Sequence, residues 1–336
     1  MEKECWEATG AGPLSTRWVD SKKGDGVRCR WVARDFNNKA DKDRVDLFAA
    51  MPPLEAKKGL FSLAAPRLKG RRTRGGKRMK LLFIDVRKAH LNALCDQEVF
   101  VQLPEEAHAK KGYVGKLKRW LYGCRGASSA WESEYTEKLE GVGFKRGKAS
   151  AAVFYNAERD LRLVVHGDDF TFLGYSEDIE WIRDSMAEWY DIKVRGVLGD
   201  EVGDDKEVTI LNRSIRCDGS DLIYKADSKH AQVIMEELGV KEGDKALSMP
   251  CAKDGVDGPG ILPWEEKRGL EEELEDKETT PFRKAAATGN YLGADRPDIQ
   301  FAVNRICRGM AKPTVQGWIK LRRLARYLHE APEMEI

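Results

Sequence analysis

The segment from Leu161 to Gly174 constrains the fold most strongly, because two apolar, β-forming runs flank a short polar turn that contains Gly167, Asp168 and Asp169. Such runs joined through a glycine predict a β-hairpin, with the two aspartates at its tip. Carboxylates beside apolar strands are costly unless they are solvated, paired or bound to metal. The segment therefore predicts a buried hairpin that presents acidic groups at one end.

A second apolar run, Leu81 to Val86, carries Asp85 near its end and suits a strand covered on both faces. If it lies beside the hairpin, Asp85, Asp168 and Asp169 form a group of hard oxygen donors. Magnesium prefers such ligands, and paired ions can activate a hydroxyl and stabilise phosphoryl transfer. Gly-Asp-Asp is also ordinary turn chemistry, and a strand-end aspartate is often a cap. These residues alone leave both hypotheses open.

The remaining elements mix strands and helices without a regular βαβ rhythm, which predicts an α+β fold rather than a doubly wound sheet. A β-hairpin is expected over Thr16–Phe36, around an Asp-Gly turn. The other expected elements are helices over 53–65, 127–143, 177–190 and 228–238, a strand over 208–215 and a helical region over 282–328.

Composition limits the location and the partners. Among 336 residues no apolar run reaches the ~18–20 residues of a membrane span, and the N-terminus does not resemble a signal peptide. The seven cysteines are scattered without paired short spacing, so a cytoplasmic or nuclear protein with free thiols is expected. The net charge is only +2, but basic residues cluster over 67–80 and 305–326, which leaves a nucleic-acid partner open.

Seven segments, spread along the chain, each resemble a motif of one known family. They are RWVARDF (30–36), IDVRKAHLN (84–92), VFVQLPE (99–105), LYGCRGASSAW (121–131), HGDD (166–169), NYL with RPDIQFAV (290–303), and KPT with RLARYL (312–328). In this order they resemble the reverse transcriptase of copia-type LTR retrotransposons, which is a segment of a Pol polyprotein. The resemblance covers most of the chain.

The resemblance implies a right-hand polymerase with fingers, palm and thumb, in which the palm sheet is antiparallel and the C-terminal region is helical. On this pattern residues 1–13 are a frayed N-terminus, and residues 14–240 form the interleaved fingers and palm. Residues 241–280 form an acidic, glycine-rich connector, and residues 281–336 form a thumb-like helical region.

The resemblance also implies a site, in which Asp85, Asp168 and Asp169 are catalytic and hold two Mg²⁺ ions, with Mn²⁺ as an alternative. The residues expected to bind the nucleotide are Arg28, Arg30, Arg34, Ala89, His90 and Gly126. Arginine suits triphosphate because its fork meets phosphate oxygens in pairs. The implied partners are an RNA or DNA template with a primer, deoxynucleoside triphosphates, and integrase and RNase H segments of a polyprotein.

Three residues depart from the family's pattern. His90 stands where an aromatic residue usually lies under the sugar, Gly126 replaces a glutamine that contacts the nucleotide, and Gly167 replaces a valine. The principal hypothesis is an RNA-directed DNA polymerase, and the alternative is a decayed copy that binds nucleic acid without polymerising. An RNA-dependent RNA polymerase, suggested by Gly-Asp-Asp, and an adaptor with no nucleic-acid role are further alternatives.

Overall fold

Strands and helices are mixed in both of the compact units into which the chain divides, Met1–Asp205 and Lys206–Ile336. The computed structural model describes residues 1–36, 47–65, 74–218, 221–241, 243–251 and 269–336. Part of the basic run over 67–80 and much of the expected connector over 241–280 therefore lie outside the described residues.

The first unit contains α1 (Glu2–Thr9), β1 (Thr16–Lys23), β2 (Gly26–Ala33), α2 (Leu54–Ala64), β3 (Lys80–Val86), β4 (Phe100–Val101), β5 (Gly115–Lys116), α3 (Ala127–Gly141), β6 (Lys145–Arg146), β7 (Val153–Asn156), β8 (Leu161–His166), β9 (Asp169–Gly174), α4 (Ser176–Trp189) and β10 (Ile192–Leu198). The second unit contains β11 (Glu207–Ile210), β12 (Arg213–Cys217), β13 (Leu222–Lys225), α5 (Lys229–Glu237), α6 (Asp276–Gly293), α7 (Gln300–Cys307) and α8 (Val315–Glu330).

A six-stranded sheet, in the order β10-β3-β9-β8-β7-β6, forms the centre of the first unit, and every neighbouring pair is antiparallel. Strands β8 and β9 are the predicted hairpin, and their turn consists of Gly167 and Asp168. Gly167 has a φ of 67°, a conformation that glycine adopts without steric cost. Strand β3 pairs with β9, as the sequence hypothesis required.

The two faces of this sheet are covered by different helices. Alternate residues of β3, β8 and β9, including Ile84 and Phe170, pack in one core with side chains of α3 and α4. The other face is covered by α2, whose Phe61 ring lies 6.5 Å from the Phe83 ring, centroid to centroid. Because side chains alternate along a strand, Asp85 lies on the same face as Phe83, near α2.

The second unit has a core of its own. Helices α5 to α8 pack through buried side chains that include Phe282, Leu321 and Leu324. Strands β11, β12 and β13 form a three-stranded antiparallel sheet in the same unit. Together with the sheet of the first unit, these elements confirm the predicted α+β class with antiparallel sheet and a helical C-terminal region.

The single strand predicted over 208–215 is wrong, because two strands, β11 and β12, occupy this region. They are joined at Leu211 and Asn212, whose φ angles of 46° and 61° are both positive. Hairpin turns with positive φ at both central residues usually contain glycine, and this turn has none. Sequence patterns therefore gave no signal for it.

Two other segments differ from expectation. Residues 2–9 form α1, where a frayed end was expected, and Gly10 ends this helix in the left-handed conformation. Helix α6 begins at Asp276, inside the segment expected to be a connector, because Glu275 and Glu278 form a reciprocal cap at its start. Pro281 lies within the helix. Of the described helices, none combines the length and apolar character that crossing a bilayer requires.

Candidate active site

Asp85 and Asp169 are direct cross-strand partners in the β3–β9 pair. The next pair along is hydrogen-bonded, since the Val86 amide donates to the Asp168 carbonyl oxygen over 2.9 Å. Asp85 and Asp169 therefore form a non-hydrogen-bonded pair, in which Cα atoms stand about 4.5 Å apart and side chains are close. Asp168 is exposed at the adjoining turn. The indole N–H of Trp131 anchors this turn by donating to the Gly167 carbonyl oxygen over 2.9 Å.

These aspartates belong to a row of charged and titratable residues that crosses four strands at one level. Lys193 of β10 pairs with Asp85, which pairs with Asp169, which pairs with His166 of β8. Directly opposed residues of antiparallel strands project from the same face, so the four side chains lie side by side. Two like charges at the centre of such a row are destabilising unless a cation neutralises them.

An arginine supplies one such cation. The Arg195 guanidinium donates to Asp85 through Nη2, which lies 3.0 Å from Oδ1. The register of β10 against β3 shifts between Val194 and Gly196, so Arg195 is the extra residue of a β-bulge. Bulges redirect side chains, which accounts for an arginine turned towards the carboxylate row.

A lysine of α2 supplies positive charge from the other side of the row. Lys57 is only 4% exposed, and its ammonium group acts on Asp169. The pKa of the Asp169 carboxyl is nevertheless raised, because burial and the charge of Asp168 outweigh the opposing effect of Lys57. The row thus contains a carboxylate whose charge is unfavourable without further positive charge.

His90 lies in the short 3₁₀ turn Ala89–Asn92 that follows β3. Its ring is half-buried, 4.7 Å from the Tyr122 ring between centroids, and its Nε2 is 3.5 Å from the Ser128 hydroxyl oxygen. Its Nδ1 is buried and has no hydrogen-bond partner among the residues that the structure describes. Burial lowers the pKa of His90, and nearby Asp168 opposes that shift only in part. The imidazole of His90 is therefore uncharged at neutral pH, beside the aspartates.

The β1–β2 hairpin brings two of the predicted arginines towards the same place. The Ala33 amide, at the end of β2, donates to the Tyr122 carbonyl oxygen over 2.8 Å. Burial and Asp168 raise the pKa of the Tyr122 phenol, whereas Arg30 and Arg28 lower it. Asp168 and these two guanidinium groups therefore act electrostatically on one hydroxyl group.

The β1–β2 hairpin approaches the loop that contains Tyr122 closely, and this approach depends on Gly123 in that loop. A Cβ at this position would lie 2.1 Å from the Ala33 carbonyl oxygen, and the residue has a φ of +86°. No other residue type fits here without displacement of the backbone. A glycine in the loop thus fixes where the exposed arginines of β2 stand.

The remaining predicted residues are placed differently. Arg34 is exposed and extends over the Phe36 ring, with its Cζ 5.4 Å from the centroid. Ala89 is buried in the core formed with α3 and α4. Gly126 immediately precedes α3 and faces the indole of Trp120, so the structure brings it against an aromatic wall.

The carboxylate group fits a divalent cation by the chemistry of its donors. Asp85 and Asp169 present hard oxygens on one face of the sheet, and Asp168 presents another at the adjoining turn. As the side chains stand, Asp85 is bound to Arg195. Within the described ranges, no three His, Cys, Asp or Glu side chains are arranged to hold a metal ion.

Sequence reasoning missed several members of this site, namely Lys57, Tyr122, Ser128, His166, Lys193 and Arg195. Two of them had a detectable signal. Lys57 stands on the apolar stripe of α2, three and four residues before Leu60 and Phe61, where a lysine is unexpected. Gly196 within an apolar strand marks a bulge, and Arg195 directly precedes it.

Comparison with known proteins gives one family match. The family described as "Reverse transcriptase (RNA-dependent DNA polymerase)" matches residues 7–210. The chain is 22% identical over 334 residues to the "Retrovirus-related Pol polyprotein from transposon TNT 1-94" of Nicotiana tabacum, a match that covers 95% of this chain and 23% of that protein. It is 24% identical to the corresponding polyprotein from transposon RE2 of Arabidopsis thaliana, over 95% of this chain and 20% of that protein. The chain thus spans about a fifth of these curated relatives.

Solved structures show weaker similarity. A foamy viral protease-reverse transcriptase in complex with double-stranded DNA matches with a TM-score of 0.41 and 10% identity, over 94% of this chain and 44% of that one. Telomerase from Candida tropicalis with a fragment of telomeric RNA matches with a TM-score of 0.40 and 10% identity, over 95% of this chain and 54% of that one. TM-scores of this size do not establish a shared fold.

Proposed function

Because this chain belongs to the reverse transcriptase (RNA-dependent DNA polymerase) family, we propose that it is an RNA-directed DNA polymerase, which joins deoxynucleotides to the 3′-hydroxyl of a primer. The resemblance to retrotransposon reverse transcriptases is confirmed by the family match and by the Pol polyprotein relatives. The activity is our inference, because the chain corresponds to only about a fifth of each relative.

The direct opposition of Asp85 and Asp169, beside Asp168 at the turn, is the observation that carries the proposal. Opposed carboxylates in neighbouring strands weaken a sheet, so their presence at the end of an apolar core calls for a use of the charge. Because the chain belongs to a polymerase family, we expect these carboxylates to bind divalent cations together with substrate phosphates.

In this proposal Asp85 and Asp168 are the principal metal ligands and Asp169 supports them. The proposed ions are two Mg²⁺, for which Mn²⁺ can substitute. When bound, they supply Lewis-acid stabilisation of phosphoryl oxygens and favour the ionised primer hydroxyl. The chain's own part is to present oxygen donors from two rigid neighbouring strands and the tight turn between β8 and β9, which limits their movement.

The nucleotide would be held by residues around Tyr122. Arg28 and Arg30 are exposed and act on the Tyr122 hydroxyl, so their guanidinium groups are available to triphosphate oxygens close to the carboxylates. His90 offers a neutral, flat ring for the sugar, and its unpartnered Nδ1 is able to accept or donate one hydrogen bond. Arg34 and Gly126 are proposed at the edge of the same pocket, and Ala89 supports His90 from below.

Primer extension with the purified chain tests this proposal. The chain should extend a DNA primer on an RNA template with deoxynucleotides when Mg²⁺ or Mn²⁺ is present, and chelation by EDTA should abolish extension. Deoxynucleotides should be used in preference to ribonucleotides. Extension that continues in EDTA, or that requires ribonucleotides, would contradict the proposal.

A second candidate function is nucleic-acid binding without polymerisation. The observation that favours it is the position of Gly126, where no side chain reaches the nucleotide and Trp120 occupies the adjoining space. This hypothesis predicts salt-sensitive binding of a primed duplex with no nucleotide incorporation under any metal condition. Fluorescence anisotropy at 50 and 200 mM salt, run beside primer extension, separates the two functions.

The proposed partners are a primed RNA or DNA template, deoxynucleoside triphosphates, and integrase and RNase H segments of a longer polyprotein. The relatives are named as Pol polyproteins, which supports the last of these. Because primed templates and deoxynucleotides occur in the cytoplasm and the nucleus, we expect the chain to act in one of them.

A further inference from the structure

We propose that Arg195 is a built-in counter-ion of Asp85, which holds the carboxylate when no divalent metal is bound and competes with a metal that binds there. The proposal rests on the proposed function, since it concerns the same carboxylates. It adds a residue of this chain that opposes metal binding and so sets how much metal the site requires.

The contact itself is direct. Nη2 of Arg195 lies 3.0 Å from Oδ1 of Asp85, and the side chains are 43% and 22% exposed, respectively. A guanidinium group at this distance occupies a lone-pair direction that a metal ion would use. Arg195 therefore takes one of the lone-pair sites of Asp85 and repels a cation bound through the same oxygen, so the two compete.

The backbone of β10 makes this contact possible. Val194 pairs with Ile84 and Gly196 pairs with Phe83, so Arg195 has no partner on β3. Arg195 is thus the extra residue of the bulge, and its guanidinium group reaches Asp85.

The neighbouring charges explain why a counter-ion is needed. Asp85 stands directly opposite Asp169, and without metal the two carboxylates repel each other. Lys57 is buried on the α2 side and acts on Asp169, whereas Arg195 contacts Asp85. Several protein cations thus surround the opposed pair, since Lys193 pairs with Asp85 across the strands and Arg195 also acts on Asp169.

Lys57 and Arg195 differ in how easily they can leave. Lys57 is enclosed by the sheet and α2, whereas Arg195 is more than two-fifths exposed and its side chain can swing into water. Partly exposed ion pairs are weak. A divalent ion carries twice the charge and also binds substrate phosphates, so it can displace the guanidinium group.

Mn²⁺ binding to the whole chain tests the proposal without any measurement of activity. The free ion is quantified by its electron paramagnetic resonance signal during titration. Arg195→Gln should lower the Kd for Mn²⁺ roughly threefold or more, because it removes the competing cation. Adding Asp85→Asn to this variant should remove the gain.

Arg87→Gln is the matched control. Arg87 follows β3 directly and pairs with Asp191 over 3.4 Å, so its replacement removes the same charge from the same neighbourhood. The control should leave the Kd within about twofold, because Asp191 is not one of the proposed ligands. If Arg87→Gln lowers the Kd for Mn²⁺ as much as Arg195→Gln does, the effect comes from net charge alone and the proposal is overturned.

The remaining outcomes separate this inference from the proposed function. If Asp85→Asn abolishes Mn²⁺ binding but Arg195→Gln leaves the Kd unchanged, the counter-ion proposal fails and the polymerase site stands. If neither the unaltered chain nor Arg195→Gln binds Mn²⁺, both fail. Thermal unfolding in EDTA checks that each variant is folded, and Mn²⁺ should raise the Tm of Arg195→Gln more than that of the unaltered chain.

Discussion

Single residues decide how far the proposed nucleotide pocket follows the family's pattern, and Gly126 is the clearest case. A Cβ on Gly126 would lie 2.6 Å from Cη2 of Trp120 and 3.0 Å from Cζ3. Trp120 is only 3% exposed and its indole is rigid, so it has little room to move. The Trp120 side chain that packs on Gly126 therefore requires a glycine at this position. Trp120 occupies the space in which the side chain of the family's glutamine would begin.

Gly126→Gln, which introduces the family's residue, should lower the free energy of unfolding by about 1–3 kcal/mol, because the new side chain overpacks the contact with Trp120. Urea unfolding measures the effect. Gly141→Gln is the matched control, since Gly141 ends the same helix and, within the described part of the chain, nothing lies within 4 Å of a new Cβ. If the two substitutions have the same effect, the packing argument for Gly126 is wrong.

At the scale of elements, β3 is held at both ends by charge. Its next-to-last residue is Asp85, and its first residue, Lys80, donates to Glu201 over 2.8 Å and to Asp204 over 2.7 Å. The side chains of Lys80 and Asp204 are each 8% exposed. Burial alone would lower the pKa of Lys80, but its hydrogen bonds to these carboxylates outweigh that effect and raise it. The strand that presents Asp85 is thus anchored by a buried ion pair.

Lys80→Met should destabilise the first unit by about 3–5 kcal/mol, because it leaves the Asp204 carboxylate buried without its cation. Lys116→Met is the control, since its pair with Glu98 has both side chains more than half exposed and should contribute at most about 1 kcal/mol. Urea unfolding of both variants gives the comparison, and similar losses would contradict the anchoring role.

The same ion pair predicts a pH dependence. The pKa of Lys80 in the folded chain is above its ordinary value of 10.5, so its stabilisation is complete below that pH and is lost as pH rises through the folded pKa. Between pH 7 and 9 the difference in stability between the unaltered chain and Lys80→Met should therefore stay constant. A difference that shrinks in this range would contradict the shift.

Elements with strong local patterns were predictable from sequence, and the site they form was predictable only in part. The β8–β9 hairpin and β3 follow from apolar runs, and α3 and α4 from helical spacing. These patterns left open whether β3 lies beside the hairpin, and the three aspartates were placed together only through the resemblance to a known family. The turn at Leu211 and Asn212 lacks glycine and was missed. Arg195 and Lys57 reach the aspartates through a bulge and a helix packed across the sheet, contacts between distant parts of the chain that periodicity does not report.

At the scale of the whole molecule, the chain consists of two units with separate cores. The carboxylate row, the arginines of β2 and His90 all belong to the first unit, whereas α5 to α8 enclose the core of the second. The resemblance to a polymerase predicted a helical C-terminal region, and the structure adds a three-stranded sheet within the same unit. The proposed catalytic residues therefore all lie in the first unit.

Leu324→Ala should destabilise the second unit by about 2–5 kcal/mol, because Leu324 is fully buried in its core and truncation leaves a cavity. Hydrogen exchange followed by mass spectrometry should show faster exchange in peptides of α5 to α8 and unchanged exchange in the six-stranded sheet. An equal loss of protection in both units would show that they unfold together and would contradict separate cores.

The central claim is that Asp85, Asp168 and Asp169 form the catalytic site of a polymerase, and the rate of adding one deoxynucleotide to a primer on an RNA template tests it most directly. Asp168→Asn should lower this rate at least roughly a hundredfold, because it removes a ligand whose contribution is several kcal/mol. Asp184→Asn, which removes an exposed carboxylate of α4 paired with Arg183, should leave the rate unchanged. Equal rates for the unaltered chain and Asp168→Asn would contradict the account.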